Sequence, residues 1–394
     1  MWNFPTRAQP PPRLLLGPGP SPVEPRIYEA MARPIVGIFD AYLSGLLDAI
    51  QERLRLAFGT TNAFTLAVPG TGSAGMETAV SNIVEPGMKL AVFANGFFCD
   101  RISEMGRRYG AGVVRLEKPW GDVFSAEEAA AFIHREKPHV VAYVHGETSS
   151  GACQPGRSIC RAAREADAVV IADCVTTLGA LPVAVDETGV DLAYSCSQKG
   201  LGAPPGLAPV TISPRAIERI RARGTVNPSW YLDARLLEQY FFTPRRYHVT
   251  VPVSLYYALD EALTIVAEEG LGNRFERHHR NHLAFVAGIE AMGLRMHVAP
   301  EHRLWPVNTP LVPAGIDDVK VRVRLLETHG IEILGGLGPL AGKVFRVGLM
   351  GAGSTRENVV TLLGALEECL GEQGFRPRSS AVEAAEESYT AAVA

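Results

Sequence analysis

The chain has 394 residues, of which 47% are hydrophobic and 20% are charged. This composition is typical of a globular protein with a large buried core, and the length favours two domains over one. The net charge of -4 excludes the broad basic field with which a protein attracts nucleic acid or an acidic membrane surface.

Residues 1–21 form an arm that ends in Leu14-Leu15-Leu16-Gly17-Pro18-Gly19-Pro20. So many Pro and Gly residues exclude a regular helix or a central strand. Ser21, followed by Pro22 and by Glu24 three positions on, has the pattern of a capping box. We therefore expect a helix to begin directly after the arm.

Three features bear on localisation. No apolar run approaches the roughly 20 residues of a membrane helix, and the arm lacks the apolar segment of an export signal. The C-terminal Ala392-Val393-Ala394 is not a peroxisomal signal of the Ser-Lys-Leu type. The six cysteines show no metal-binding or disulfide spacing: Cys99, Cys153, Cys160, Cys174, Cys196 and Cys369. We expect a cytoplasmic protein with reduced thiols and no metal.

Between residues 22 and 270, short apolar runs alternate with helical stretches. The runs lack polar alternation, as strands that are buried on both faces do: Leu90-Ala91-Val92-Phe93, Val140-Val141-Ala142-Tyr143-Val144, Ala168-Val169-Val170-Ile171-Ala172 and Leu192-Ala193-Tyr194. A helix is predicted over residues 125–136, where Ser125 and Glu128 have capping-box spacing. The pattern predicts an α/β fold with a mainly parallel sheet flanked by helices.

A charged helix over residues 274–292 leads into a smaller α+β domain, predicted to span residues 271–376. Its strands are expected near residues 308–312, 331–334 and 344–349. The tail, residues 377–394, is rich in Ala and Glu, which is compatible with a frayed helix or with disorder.

Asp173 follows the apolar run that ends at Ala172. Ligands of open parallel sheets collect at the carboxyl ends of strands, so a carboxylate at this point indicates a binding site. The alternative is that Asp173 caps a following helix.

Lys199 lies in a Gly/Pro-rich loop, Ser197-Gln198-Lys199-Gly200-Leu201-Gly202-Ala203-Pro204-Pro205-Gly206. Small and stiff neighbours leave room for a flat ligand, and a desolvated lysine amine can form an imine with a carbonyl compound. A solvated surface lysine is the alternative. Earlier in the chain, Pro69-Gly70-Thr71-Gly72-Ser73 runs into a helical stretch at residues 76–83, which predicts either a phosphate site at a helix N-terminus or a simple loop.

Along the chain, the Gly-rich turn comes first, then Asp173, then Lys199. This order, together with the flanking motifs, resembles the class V aminotransferases of fold type I, most closely the alanine:glyoxylate and the serine:pyruvate or serine:glyoxylate enzymes. The resemblance extends from Leu14 to Val359. Its specific motifs are His145-Gly146-Glu147-Thr148-Ser149-Ser150-Gly151, Ser197-Gln198-Lys199, Ala203-Pro204-Pro205-Gly206, Tyr247-His248-Val249-Thr250 and Gly335-Gly336-Leu337-Gly338-Pro339.

The resemblance implies pyridoxal 5′-phosphate as the cofactor, bound to Lys199 as a Schiff base. It implies that Asp173 pairs with the pyridine nitrogen, since a carboxylate favours the protonated ring. The other implied contacts are with the phosphate, the 3-oxygen and the two ring faces: Gly72, Ser73 and Gln198 for the phosphate, Thr148 for the oxygen, and Val175 and Phe98 for the faces.

The resemblance also implies a homodimer, in which Tyr247 and Thr250 reach the phosphate in the partner subunit. Arg346 lies within the apolar run Val344-Phe345-Arg346-Val347-Gly348-Leu349. A buried arginine needs a partner, so it lies either at a sheet edge or in a site. The resemblance implies that Arg346 grips the substrate α-carboxylate.

The implied reaction is a ping-pong transamination from a small amino acid, alanine or serine, to glyoxylate or pyruvate. Phe98, Ser73 and Thr148 stand where some relatives have Trp, His and Ser, respectively. These differences leave the identity of the amino-donor substrate open. The alternatives are a lyase or cysteine desulfurase and a non-catalytic vitamin B6-binding protein. A desulfurase is disfavoured because no cysteine lies between Cys196 and Cys369, and a nicotinamide dehydrogenase because no GxGxxG motif opens an early βαβ unit.

Overall fold

A computed structural model describes residues 9–391. The strands of this part are β1 Leu14–Leu15, β2 Phe64–Pro69, β3 Lys89–Ala94, β4 Gly112–Glu117, β5 Val140–Val144, β6 Gly146–Glu147, β7 Ala152–Cys153, β8 Val169–Asp173, β9 Leu192–Tyr194, β10 Leu207–Ile212, β11 Val307–Asn308, β12 Ile331–Glu332, β13 Leu334–Gly335 and β14 Phe345–Gly348.

The helices are α1 Pro25–Met31, α2 Ala41–Phe58, α3 Gly72–Ile83, α4 Phe97–Arg108, α5 Ala126–Glu136, α6 Arg157–Glu165, α7 Val185–Thr188, α8 Pro214–Arg221, α9 Ala234–Phe241, α10 Val253–Glu269, α11 Leu271–Ala291, α12 Asp318–His329, α13 Arg356–Gly371 and α14 Ala381–Ala391. Within the described residues, no helix is both long and apolar enough to cross a membrane.

Seven strands form the central sheet in the order β2-β10-β9-β8-β5-β3-β4. The five strands from β9 to β4 run parallel, and β10 runs antiparallel to both of its neighbours. Nearly all residues of β2, β3, β5, β8, β9 and β10 are buried, because helices cover both faces of the sheet. The predicted α/β fold with a mainly parallel sheet is confirmed.

The two predicted capping boxes have different outcomes. Ser125 caps α5 by accepting from Glu128 N, and the Glu128 side chain accepts from Ser125 N, as predicted. The prediction at Ser21 is wrong, because α1 begins at Pro25 with Glu24 as its N-cap. Ser21 Oγ instead donates to the backbone oxygen of Lys199, at 3.0 Å. This bond joins the arm to the lysine loop.

The C-terminal part contains a three-stranded antiparallel sheet, β11-β14-β13, and β12, which pairs in parallel with β1 of the arm. These four short strands overlap the three predicted segments, and the segment predicted as one strand at residues 331–334 is divided between β12 and β13, which belong to different sheets. Of the two alternatives for the tail, the structure has a helix, α14, whose Tyr389 is buried. Residues 1–8 of the arm and residues 392–394 of the tail lie outside the described residues.

The buried apolar residues fall into two main clusters. The larger one surrounds the seven-stranded sheet and runs from Ala30 to Leu263. The smaller one joins Leu16 of the arm to residues between Ala284 and Tyr389. The division into an arm, a large domain, a small domain and a tail stays a prediction. The two clusters agree with a large and a small domain, and the smaller cluster also contains Leu16 of the arm and Tyr389 of the tail.

Candidate active site

Asp173 is the last residue of β8, next to the ends of β5 and β9. Its side chain is buried and accepts two hydrogen bonds, from Val175 N at 2.9 Å and from the Tyr194 hydroxyl at 2.7 Å. Burial raises the pKa of this carboxyl group, and the two donors oppose that rise. Asp173 caps no helix, since the next helix, α7, begins only at Val185.

Lys199 is 7% exposed, so the alternative of a solvated surface lysine is wrong. Its Nζ donates to Thr148 Oγ1 at 2.8 Å and to Thr176 Oγ1 at 2.9 Å. Burial is the main cause that lowers the pKa of this amine. The site therefore holds an amine that loses its proton more readily than a solvated lysine does, and nucleophilic attack on a carbonyl requires the deprotonated amine.

The Gly-rich turn is the N-terminus of α3, which begins at Gly72 rather than near Met76. The N–H groups of Gly72 and Ser73 lie in the first turn of this helix and thus have no intrahelical acceptor. A Cβ atom at Gly72 would lie 3.2 Å from Cys196 Cβ and 3.3 Å from Val175 Cγ2, so the turn is closely packed. Such a helix N-terminus favours a bound anion.

These groups meet in one cavity of about 150 Å³. Its lining residues are Thr71, Gly72, Ser73, Met76, Phe98, Arg101, Asp173, Val175, Gln198 and Lys199. Seven of the residues predicted from the sequence are among them. Thr148 reaches the same place through its bond to Lys199.

Arg346 lies in β14, the middle strand of its sheet, so the alternative of an edge position is wrong. The side chain is 6% exposed, and burial lowers the pKa of its guanidinium to about 10. Nε donates to Gly335 O at 2.7 Å, and Nη1 donates to Thr148 O at 3.4 Å. The second contact places the guanidinium directly behind the residue that holds Lys199.

Tyr247 and Thr250 lie outside this cavity. Tyr247 is 63% exposed, and its hydroxyl group is 3.3 Å from Thr250 Oγ1. Thr250 is exposed as well. Their predicted contact with a partner subunit stays a prediction.

Besides Thr71 and Met76 of the cavity lining, four residues of the site were missed in the sequence analysis. Thr176 binds Lys199, Tyr194 binds Asp173, and Arg101 lines the cavity. Glu147 is fully buried and accepts from Phe98 N at 3.1 Å and from Ser149 Oγ at 2.7 Å, so it ties Phe98 to the Thr148 loop. A signal existed for both Tyr194 and Glu147, since Tyr194 ends the apolar run of a predicted strand and Glu147 comes three residues after another such run.

The sequence matches the aminotransferase class-V family over residues 38–359. The chain belongs to this family. An alanine–glyoxylate aminotransferase structure from Nostoc sp. is 46% identical and has a TM-score of 0.92, with 94% of this chain and 98% of the other covered. A ureidoglycine–glyoxylate aminotransferase structure from Bacillus subtilis is 39% identical and has a TM-score of 0.95, with 98% and 100% covered. Alanine–glyoxylate aminotransferase of Oryctolagus cuniculus is 38% identical, with 91% and 93% covered.

The predicted resemblance is therefore confirmed, and the chain is a transaminase that uses pyridoxal phosphate. The alternatives of a lyase, a desulfurase and a non-catalytic binding protein are not favoured. The cavity fits the cofactor, because it combines a buried amine, a buried carboxylate and free N–H groups at a helix N-terminus. In addition, the buried Gln198 Oε1 has no hydrogen-bond partner among the described residues. This oxygen needs a hydrogen-bond donor, and exchange of the amide O and N positions would instead present the NH2 group of Gln198 to a phosphate.

Proposed function

We propose that the chain transfers the amino group of a small amino acid, alanine or serine, to glyoxylate or pyruvate by a ping-pong mechanism. The observation that carries this proposal is the buried Lys199 amine, which shares a cavity with the Asp173 carboxylate and lies next to the Thr148 loop that Arg346 contacts. The names of the relatives support glyoxylate as an acceptor, since two of them are alanine–glyoxylate and one is ureidoglycine–glyoxylate aminotransferases.

In this proposal, Lys199 Nζ would hold the cofactor covalently in the resting enzyme, and the same amine would be available as a base during turnover. When bound, pyridoxal phosphate supplies an aldehyde that takes up the amino group and a protonated ring that withdraws electrons. The Asp173 carboxylate keeps that ring nitrogen protonated. The freed Lys199 Nζ then takes the proton from the substrate α-carbon, and its lowered pKa suits this role.

The remaining predicted residues position the cofactor. The N–H groups of Gly72 and Ser73 and the side chain of Gln198 would hold its phosphate. Thr148 Oγ1 would bind the 3-oxygen, since it already lies 2.8 Å from Lys199 Nζ.

The two faces of the cavity complete its shape. The Phe98 ring lies over the Lys199 amine, with 5.7 Å between Nζ and the ring centroid. Val175 lines the same cavity. A flat ring would fit between Phe98 and Val175.

Purified protein provides a direct test of the reaction. Alanine or serine alone should shift the visible absorption band of the bound cofactor, and glyoxylate or pyruvate should restore the original band. One keto acid should form for each amino group transferred. A band that no amino acid shifts would indicate a binding protein, and release of ammonia or sulfide would indicate a lyase or a desulfurase.

A homodimer is part of the proposal. Exposed aromatic and apolar side chains support it, since an interface would remove them from water. Among them are Tyr28, Ile35, Phe39, Tyr42, Val226, Trp230, Tyr231 and Tyr247. In such a dimer, the family resemblance implies that Tyr247 and Thr250 reach the partner's cavity. Sedimentation should give twice the mass of one chain, and a monomer that retains full activity would contradict the shared site.

We also place the protein in the cytoplasm. Its six cysteines are all free thiols in the structure, and five of them are buried. A reducing compartment keeps such thiols unpaired. Cell fractionation would test this placement.

Arg346 is expected to bind the substrate α-carboxylate through the part of its guanidinium that Gly335 and Thr148 leave free. Arg346→Lys should raise KM for both amino acids and keto acids by about 10- to 100-fold, because lysine cannot reproduce a bidentate contact. The dissociation constant of the cofactor should change little. Steady-state kinetics with both substrates would measure KM, and a cofactor titration would measure the dissociation constant of the cofactor.

Arg322→Lys is the matched control for this prediction. Arg322 lies close enough to Arg346 to influence its pKa, but its guanidinium pairs with Asp318 at 3.0 Å. This variant should therefore keep the original KM values. Equal losses in the two variants, or unchanged KM in Arg346→Lys, would refute the role given to Arg346.

A further inference from the structure

Arg101 lies on the first turns of α4 and lines the cavity that Lys199 also lines. Its Nη1 donates to Ser73 Oγ at 3.1 Å. Its Cζ lies 5.1 Å from the centroid of the Phe98 ring. One guanidinium therefore contacts both the first turn of α3 and the ring that covers the cavity.

The acidic side chains near Arg101 are engaged with other groups. Asp100 pairs with Arg115 at 2.6 Å, and Glu104 pairs with Arg108 at 2.9 Å. Glu77 accepts from the Tyr109 hydroxyl group at 2.6 Å. In the part of the chain that the structure describes, Arg101 has no carboxylate within ion-pair distance.

The cavity has two positively charged lining residues, Arg101 and Lys199. The Lys199 amine is bound by Thr148 and Thr176. The end formed by Gly72 and Ser73 has the helix N-terminus and Arg101 as its positive groups. A phosphate dianion in this place needs more charge than the roughly half unit that a helix terminus supplies.

We propose that Arg101 is a phosphate-binding residue of the cofactor site, donating from its free guanidinium N–H groups to a phosphate oxygen while it keeps its bond to Ser73. Guanidinium groups present five donors in a plane, so one bond to a hydroxyl group leaves several donors available. This inference rests on the proposed function, because it takes the cavity to be the cofactor site.

Stacking on Phe98 is the competing explanation for the position of Arg101. Pyridoxal without its phosphate separates the two, because it retains the ring that Phe98 covers and lacks the group that Arg101 binds. The apoenzyme should be titrated with pyridoxal phosphate and with pyridoxal, for wild type and variants, with absorption or fluorescence as the readout.

Arg101→Met should raise the dissociation constant of pyridoxal phosphate by about 10- to 100-fold, the range of a charge-assisted hydrogen bond. The constant for pyridoxal should change by less than about threefold. Arg101→Lys keeps the charge and loses the planar guanidinium, so its dissociation constant for pyridoxal phosphate should lie between those of Arg101→Met and wild type. Arg107→Met is the matched control, because it removes an exposed arginine from the same helix and should change neither constant.

Inorganic phosphate gives a second readout that does not need the ring. It should compete with pyridoxal phosphate for the wild-type and Arg107→Met apoenzymes and compete less well for Arg101→Met. If Arg101→Met weakens the binding of pyridoxal and of pyridoxal phosphate equally, the proposal is overturned in favour of stacking. A change below about threefold in both dissociation constants would also overturn the proposal. A wild-type apoenzyme that binds no pyridoxal phosphate would instead overturn the cavity assignment itself.

Discussion

Lys199→Ala should reduce turnover by at least about 10⁴-fold, because it removes both the amine that attaches the cofactor and the base that moves the α-proton. The cofactor should still bind, since the N–H groups of Gly72 and Ser73 remain. Borohydride reduction followed by peptide mass analysis should therefore label position 199 in wild type and leave the variant unlabelled.

Two controls make the Lys199 prediction specific. A small primary amine added to Lys199→Ala should restore part of the rate, because the free base can enter the space that the side chain leaves. Lys343→Ala, at an exposed position, should keep full activity and the label. A label on another lysine, or a variant that retains even a tenth of the wild-type rate, would refute the assignment.

The same substitution also has a predicted effect on stability. Burial lowers the pKa of Lys199 below its usual value of about 10.4. At a pH between the lowered pKa of the folded apoenzyme and the usual pKa of the unfolded chain, the folded state therefore binds fewer protons. The free energy of unfolding of wild type, relative to Lys199→Ala, should therefore rise with pH across this window. Urea denaturation of both apoenzymes at several pH values would measure the difference.

The sequence predicted the strand-end position of Asp173 and the burial of Lys199 because both depend on local patterns. An apolar run that ends in a carboxylate marks the carboxyl edge of a parallel sheet. A lysine among small and stiff residues indicates a shaped pocket. The roles of these two residues nonetheless stay predictions, since the geometry gives their positions and not their chemistry.

Other contacts could not be predicted, because they join segments that are distant in the chain. Thr176 lies 23 positions from Lys199, and the bond between them depends on how β8 and the lysine loop meet. The capping box at Ser21 failed for a similar reason, because the serine hydroxyl group binds the backbone 178 positions away. Tertiary contacts can override a local pattern when the packed loop offers a better partner.

Asp173→Asn should lower kcat/KM by about 10²- to 10³-fold, the cost of removing one preorganised electrostatic partner from a buried site. Asparagine has nearly the same shape, so the loss would come from the charge. The apoenzyme should be at least as stable as wild type at pH 7. Burial raises the pKa of Asp173, so the folded state binds more protons than the unfolded chain above about pH 3.9, and ionisation costs stability.

Tyr194→Phe separates the charge of Asp173 from its hydrogen bond. The Tyr194 hydroxyl group donates to Asp173 Oδ2 and favours the ionised carboxyl group, so its removal should raise the pKa of Asp173 further. The acid limb of the pH profile of kcat/KM should then move to higher pH, while the rate at high pH falls by about tenfold or less. An unmoved acid limb, together with full activity of Asp173→Asn, would mean that the carboxylate serves the packing of the sheet edge and not the cofactor.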